Sequence, residues 1–160
     1  MSRWPDKYVI GLTGNIATGK SVVRKMLEHL GAYSIDADAL AHRAIMPGAP
    51  GYAAVLKSFG DFILGDDGEI DRARLGRLVF ADPDALALLE SIVHPLVQQG
   101  VEVLIRRARP HVVVVEAIKL MESPLAQYYD ALWVSDAPEA AQLERLMVKR
   151  RLSEADARRR

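Results

Sequence analysis

Gly14-Asn15-Ile16-Ala17-Thr18-Gly19-Lys20-Ser21 fits G-x-x-x-x-G-K-[ST] without a mismatch. Before it, Tyr8-Val9-Ile10-Gly11-Leu12 is a short apolar run that favours a strand. After it, residues 21–30 carry Val22, Val23, Met26, Leu27 and Leu30 at helical spacing. Strand, glycine loop and helix in that order give the motif its meaning. Gly14 and Gly19 allow backbone angles that side chains disfavour. The loop can then turn the amides of Asn15, Ile16, Ala17 and Thr18 toward a phosphate chain. The helix that starts near Gly19, with Ser21 and Val22 in its first turn, adds the positive end of its dipole. Lys20 is expected at the β- and γ-phosphates, and Ser21 at Mg²⁺, a hard cation that takes oxygen ligands. The competing reading is a glycine turn that happens to precede a lysine. Glycine makes up about 7% of average sequences, so four fixed positions seldom coincide by chance.

The remaining composition narrows the class. The chain has 160 residues, enough for one domain with a small insert. Half its residues are hydrophobic, so a sizeable core can form. Lys+Arg and Asp+Glu both number 21, which gives no global signature of nucleic-acid binding. The absence of cysteine excludes disulfides and thiolate metal sites and is compatible with a reducing, cytoplasmic setting. The first seven residues lack the apolar segment of a signal peptide. No run approaches the roughly 20 apolar residues of a membrane span.

Past the first helix, Ala32-Tyr33-Ser34-Ile35 reads as a second strand that ends at Asp36-Ala37-Asp38. Residues two apart on a strand share a face, so both carboxylates could point to one place. Ligands of open parallel sheets sit beyond the carboxyl ends of strands, where an acid pair can meet a substrate hydroxyl. Capping of the helix that begins near Ala39 is the alternative for the pair. Residues 40–109 then read as mostly helical, with breaks at 46–51 and 66–68. Asp82-Pro83 starts one helix, and Pro95 should end or kink it before another runs to about Arg109. So much helix exceeds one β–α crossover and suggests an inserted helical subdomain, either a lid or an acceptor-binding wall. Within it, His94 is either functional or a polar residue near a helix end. Arg72, Arg106 and Arg107 either meet phosphates or solvate a helix face.

Val112-Val113-Val114-Val115 is the clearest buried strand, and its continuous β-branched run suits a parallel sheet covered on both faces. Glu116 ends it where phosphate-loop proteins keep an acid near Mg²⁺. Contact through water suits its length, and a solvated strand-end acid is the alternative. Glu122 follows in a loop or short helix. Residues 131–135 form a last strand, and residues 139–149 a helix. Lys149-Arg150-Arg151 then makes a basic turn that either closes over a nucleotide or is simply solvated, and Ser153 caps a further helix.

Taken together, these segments resemble the dephospho-CoA kinase family over nearly the whole chain. The resemblance rests on Gly11-Leu12-Thr13-Gly14 with the loop to Ser21, and on Ile35-Asp36-Ala37-Asp38 with Ala41-His42. It continues through Pro47-Gly48-Ala49-Pro50, Phe59-Gly60, Gly68-Glu69-Ile70-Asp71-Arg72, Leu75-Gly76, Val79-Phe80 and Ile92-Val93-His94-Pro95. Gln142-Leu143, Arg145-Leu146 and Leu152-Ser153 complete it. It implies an α/β phosphate-loop fold of three layers with a parallel sheet. Residues 1–39 and 110–138 would form the core, 40–109 the acceptor-binding insert, and 139–160 a partial lid. It also implies transfer of the γ-phosphate of ATP to the 3′-hydroxyl of dephospho-CoA, with Mg²⁺ as cofactor. Asp38 would be the base, Asp36 its support, and Lys20 a stabiliser of the transferring charge. Arg72 and His94 would touch the acceptor, and Arg145, Lys149 or Arg150 would serve the lid.

The departures are local. Asn15 stands where the family often has glycine, and its tolerance of a left-handed backbone suits that place. Ile118-Lys119-Leu120 stands where the family usually has P-L-L. The family also continues past the lid with a helix, a strand and a terminal helix, so the resemblance implies a shortened chain. Two rival readings remain: another small-molecule or nucleotide kinase on the same scaffold, or a nucleotide-binding module without catalysis. A GTPase fits less well, because no N-K-x-D motif occurs.

Overall fold

The computed structural model describes residues 3–118, 120–121, 124–150 and 153–158. It divides into two compact units, one of residues 1–36 with 105–160 and one of residues 37–104.

The first unit is built on four parallel strands, β1 (Tyr8–Thr13), β2 (Tyr33–Asp36), β3 (Val112–Glu116) and β4 (Ala131–Val134), in the spatial order β2-β3-β1-β4. The inner strands are the most apolar. Val113, Val114 and Val115 are fully buried, as is Val9. Each such valine stabilises by about 1.5–2 kcal/mol over an exposed one. In register, Leu12 pairs with Glu116, and Glu116 pairs with Asp36. The carboxyl ends of β1, β2 and β3 therefore lie side by side. Helix α1 (Lys20–His29) follows the glycine loop directly, and the Gly19 carbonyl accepts from Val22 and Val23. Its buried stripe is narrower than the sequence suggests. Val23 and Leu27 pack on Ile10, Leu12 and Val114, whereas Val22, Met26 and Leu30 are exposed. Positions four apart face the sheet together, and the neighbouring row does not.

Gly11 is required by packing, because a Cβ there would meet the Tyr129 ring at 2.7 Å and Leu120 at 2.8 Å. Trp4 stacks on Tyr128 at 5.9 Å, and Arg106 lies 5.5 Å over the Trp4 ring. This gives Arg106 a cation–π partner. A 3-10 turn at Pro124–Tyr128, which the sequence pattern did not suggest, carries the chain into β4. The unit closes with the helices Glu139–Arg150 and Glu154–Arg158.

The second unit is helical. It contains α2 (Ala37–Ala44), α3 (Tyr52–Phe59), α4 (Arg72–Ala81) and most of α5 (Pro83–Arg107). In chain order the Glu139–Arg150 and Glu154–Arg158 helices become α6 and α7. Its buried apolar residues include Val55, Phe59, Ile63, Leu75, Val79, Val93, Val97 and Val101. Asp71 caps α4, accepting from Ala73 N at 2.8 Å and Arg74 N at 3.1 Å. Those amide bonds hold its carboxyl below the usual aspartate range.

Pro95 neither ends nor divides the helix, because α5 runs unbroken through 25 residues. Proline removes one backbone donor, so the carbonyl of Ser91 loses its helical partner. Ser91 and Pro95 both lie on the exposed side, where water can replace that bond. Among the described residues no helix is long and apolar enough to cross a membrane.

Candidate active site

The glycine loop leaves β1 at Thr13 and enters α1 at Lys20. Its curvature rests on two glycines and one alanine. Gly14 has φ +148°, and a Cβ there would overlap the Ser135 carbonyl oxygen. Gly19 has φ +107°. Ala17, at φ +59°, is the one non-glycine residue with positive φ among those described. Asn15 does not take the left-handed conformation that its residue type suggested. Its side-chain oxygen instead accepts from Ile16 N at 2.8 Å. The left-handed turn falls two residues later, where alanine bears a strain of about 1–2 kcal/mol.

Two cations brace the loop from within the first unit. Lys20 is buried, and its ammonium donates to the carbonyls of Gly14 at 2.7 Å and Asn15 at 2.9 Å. Arg145, on α6, donates to the Ala17 carbonyl at 2.8 Å. Thr18 closes the loop internally, its hydroxyl donating to the Asn15 carbonyl at 2.8 Å. The Gly14, Asn15 and Ala17 carbonyls are thus held by two cations and the loop's own hydroxyl, which gathers positive charge at the loop.

Beside the loop, the Ser21 hydroxyl lies 3.4 Å from Glu116 Oε1. Glu116 Oε2 faces Arg24 Nε at 2.7 Å, an ion pair in which neither atom finds a well-aligned hydrogen bond. Burial pushes the Glu116 carboxyl above the usual glutamate range. Arg24 opposes that shift, Asp36 adds to it, and Lys20 opposes it. Two carboxylates and two cations therefore meet at the strand ends. The two groups that could face a cation, the Ser21 hydroxyl and Glu116 Oε1, are both oxygens and lie 3.4 Å apart, so they fit a hydrated hard divalent cation. Among the described residues no cluster of three or more His, Cys, Asp or Glu could hold a metal alone. A cation at this place would take most of its ligands from substrate and water.

The structure brings together Gly14, Asn15, Ile16, Ala17, Thr18, Gly19, Lys20, Ser21, Val22, Asp36, Glu116 and Arg145 in one unit. Asp38, Arg72 and His94 belong to the other. The strand argument for the aspartate pair does not hold. β2 ends at Asp36, and helix α2 begins at Ala37, so Asp38 stands exposed in the first turn of a helix. A carboxylate there favours the helix dipole, and Ala37-Asp38-Ala39 needs no loop before starting a helix. His94 is half-buried on α5, and Arg72 is exposed at the start of α4. The side chains of Lys149 and Arg150 lie outside the described residues, as do Lys119, Glu122, Arg151, Leu152, Arg159 and Arg160.

Sequence reasoning missed Arg24. The available signal was its position three residues after Ser21, which sets both on one helical face toward the acid that ends β3.

Residues 8–160 match the family model described as dephospho-CoA kinase. A dephospho-CoA kinase of Streptomyces avermitilis is 47% identical over 150 residues, covering 93% of this chain and 73% of the relative. A crystal structure of a Thermus thermophilus protein superposes with a TM-score of 0.82 at 32% identity, covering 96% of this chain and 78% of the other. Dephospho-CoA kinase from Campylobacter jejuni gives a TM-score of 0.60 at 26% identity, covering 95% and 77%.

Proposed function

The chain belongs to the dephospho-CoA kinase family, and on that premise we propose how its own residues carry the phosphoryl transfer. The activity is the ATP-dependent phosphorylation of dephospho-CoA in coenzyme A biosynthesis. The observation that carries the residue-level reading is the braced loop, in which Lys20 and Arg145 hold three backbone carbonyls.

In this reading the loop amides and Lys20 bind the β- and γ-phosphates of ATP, with the positive end of α1 behind them. The 3′-hydroxyl of the acceptor ribose is the nucleophile. Its oxygen bonds to the γ-phosphorus while the bond from that phosphorus to the β,γ-bridging oxygen breaks, and ADP leaves. Asp38 takes the hydroxyl proton, and Asp36 supports the negative end of the site. Ser21 directly, and Glu116 through water, would hold Mg²⁺, which when bound offsets charge on the β- and γ-oxygens. Lys20 stabilises charge as it gathers on the bridging oxygen, and most of the catalysis is positioning and electrostatics. Residues 40–109, with Arg72 and His94, hold the acceptor, while 139–160 act as the lid that excludes competing water. A cytoplasmic location belongs to the same reading.

Asn15 adds a local condition. The Ile16 amide already donates to the Asn15 side chain, so a phosphate oxygen gains that donor by displacing it.

The test is a coupled assay of ADP release with dephospho-CoA against nucleosides, nucleotides and shikimate as acceptors. Selective turnover with dephospho-CoA, giving a 3′-phosphorylated product, supports the proposal. Equal turnover with another acceptor, or ATP binding without any phosphorylated product, overturns it in favour of a different kinase or a binding module.

A further inference from the structure

Arg24 has no part in the phosphate loop and was assigned no role above. Yet its guanidinium is held from three sides. Nη1 donates to Glu28 Oε1 at 3.1 Å and to Ser34 Oγ at 3.3 Å, and Nε faces Glu116 Oε2 at 2.7 Å. Ser34 also donates to Glu28, so the two acceptors on the far side are tied to each other. Arg24 is mostly shielded, at 23% side-chain exposure, and Glu116 more so, at 9%.

The arrangement has a direction. Ser21 and Arg24 stand three residues apart on α1, and both meet Glu116 where β3 ends. Arg24 lies against Oε2, while Oε1 is the oxygen near the Ser21 hydroxyl at 3.4 Å. A glutamate has three rotatable side-chain bonds, and a carboxylate anchored on one oxygen keeps the other pointing one way. Arginine's flat fork suits this task, because it can hold Glu116 through Nε and brace itself through Nη1. A lysine could reach Glu116 or Glu28 but could not fix a plane between them.

We propose that Arg24 is a positioning residue for divalent-cation binding. It anchors Glu116 through Oε2 so that Oε1 is presented, with the Ser21 hydroxyl, to the cation's water shell. This rests on the reading of Ser21 and Glu116 as the metal side of the site, and the experiment separates the two.

The probe is Mn²⁺ bound to the enzyme–ADP complex, read by electron paramagnetic resonance and by calorimetry, with ADP binding in EDTA as the control. Arg24→Gln should weaken Mn²⁺ about tenfold and leave ADP affinity in EDTA within about twofold, which corresponds to about 1.4 kcal/mol on the metal alone. Arg24→Lys should recover only part of the loss. Near-ultraviolet circular dichroism establishes that each variant is folded, and Arg24→Lys serves if Arg24→Gln is not. Glu116→Gln tests the underlying reading. If it weakens Mn²⁺ while both folded Arg24 variants bind as wild type, the role of Arg24 is overturned and the metal reading stands. If Glu116→Gln leaves Mn²⁺ affinity unchanged, the metal reading falls and the proposal with it. Equal losses of ADP and Mn²⁺ binding in Arg24→Gln would also overturn it, since they would mark a general disturbance of the loop.

Discussion

Gly14→Ala is the sharpest test of why the loop is shaped as it is, with Gly19→Ala as its control. Both positions carry positive φ, at +148° and +107°, so both substitutions strain the backbone by about 1–2 kcal/mol. Only Gly14 is also enclosed. A Cβ there would overlap the Ser135 carbonyl oxygen and lie 3.0 Å from Thr18 Oγ1, whereas Gly19 faces open space. The Ser135 carbonyl cannot retreat freely, because the amide of the same residue donates to the Thr13 carbonyl at 2.8 Å at the end of the β1–β4 pairing. Relieving the overlap therefore costs about 1–3 kcal/mol of overpacking and about 1 kcal/mol of weakened hydrogen bonding. Gly14→Ala should lose about 3–6 kcal/mol, and Gly19→Ala about 1–2 kcal/mol. Small domains have net stabilities of about 5–15 kcal/mol, so the first variant should be marginal. Urea unfolding followed by circular dichroism reads both values. If the two variants agree within about 0.5 kcal/mol, the enclosure of Gly14 by Ser135 is not what shapes the loop.

Three further outcomes can be measured. Asp38→Asn should cut kcat by about 10²–10⁴ while ATP affinity by calorimetry stays near wild type; unchanged turnover would remove Asp38 as the base. Arg145→Ala should weaken ATP binding about tenfold, since it deletes a charged hydrogen bond to the strained Ala17. Adding Ala17→Gly should return part of the loss in a double-mutant cycle, and strict additivity would show that the two do not act together. Asp71 is held below its ordinary value of 3.8, so its charge contributes stability that is present above 3.8 and lost as pH falls through the lowered value. Asp71→Asn should have a lower urea midpoint than wild type at pH 6, and the gap should close below pH 3.8; a gap that persists in acid would assign the effect to something other than the charge.

Local order accounts for what could be read without coordinates. The strand, glycine loop and helix around residues 8–30, the buried valine strand at 112–116 and the helix starts at Asp82 and Ser153 are properties of short stretches. Their residues have few other places to go: β-branched runs bury, glycines turn, and short acids and hydroxyls cap. The failures mark places where solvent, packing or an adjacent local preference outweighed the pattern that was read. Pro95 stays inside α5 because the Ser91 carbonyl that it frees lies on the exposed side of the helix. Val22, Met26 and Leu30 have helical spacing but no surface to pack on among the described residues. Asp38 left the strand because Ala37 could begin a helix at once.

By itself the sequence determined the class of chemistry. Four fixed positions in eight residues specify a backbone shape that holds phosphates, and the ordered segments after it specify the family. Tertiary structure alone decided which charges meet. Arg24, Asp36, Glu116 and Arg145 come from four separate elements, and only the sheet register and the packing of α1 and α6 bring them to the loop. The reason is physical: a hydrogen bond or ion pair depends on distances of about 3 Å, and the spacing of residues along a chain sets such distances only within a turn or a helix.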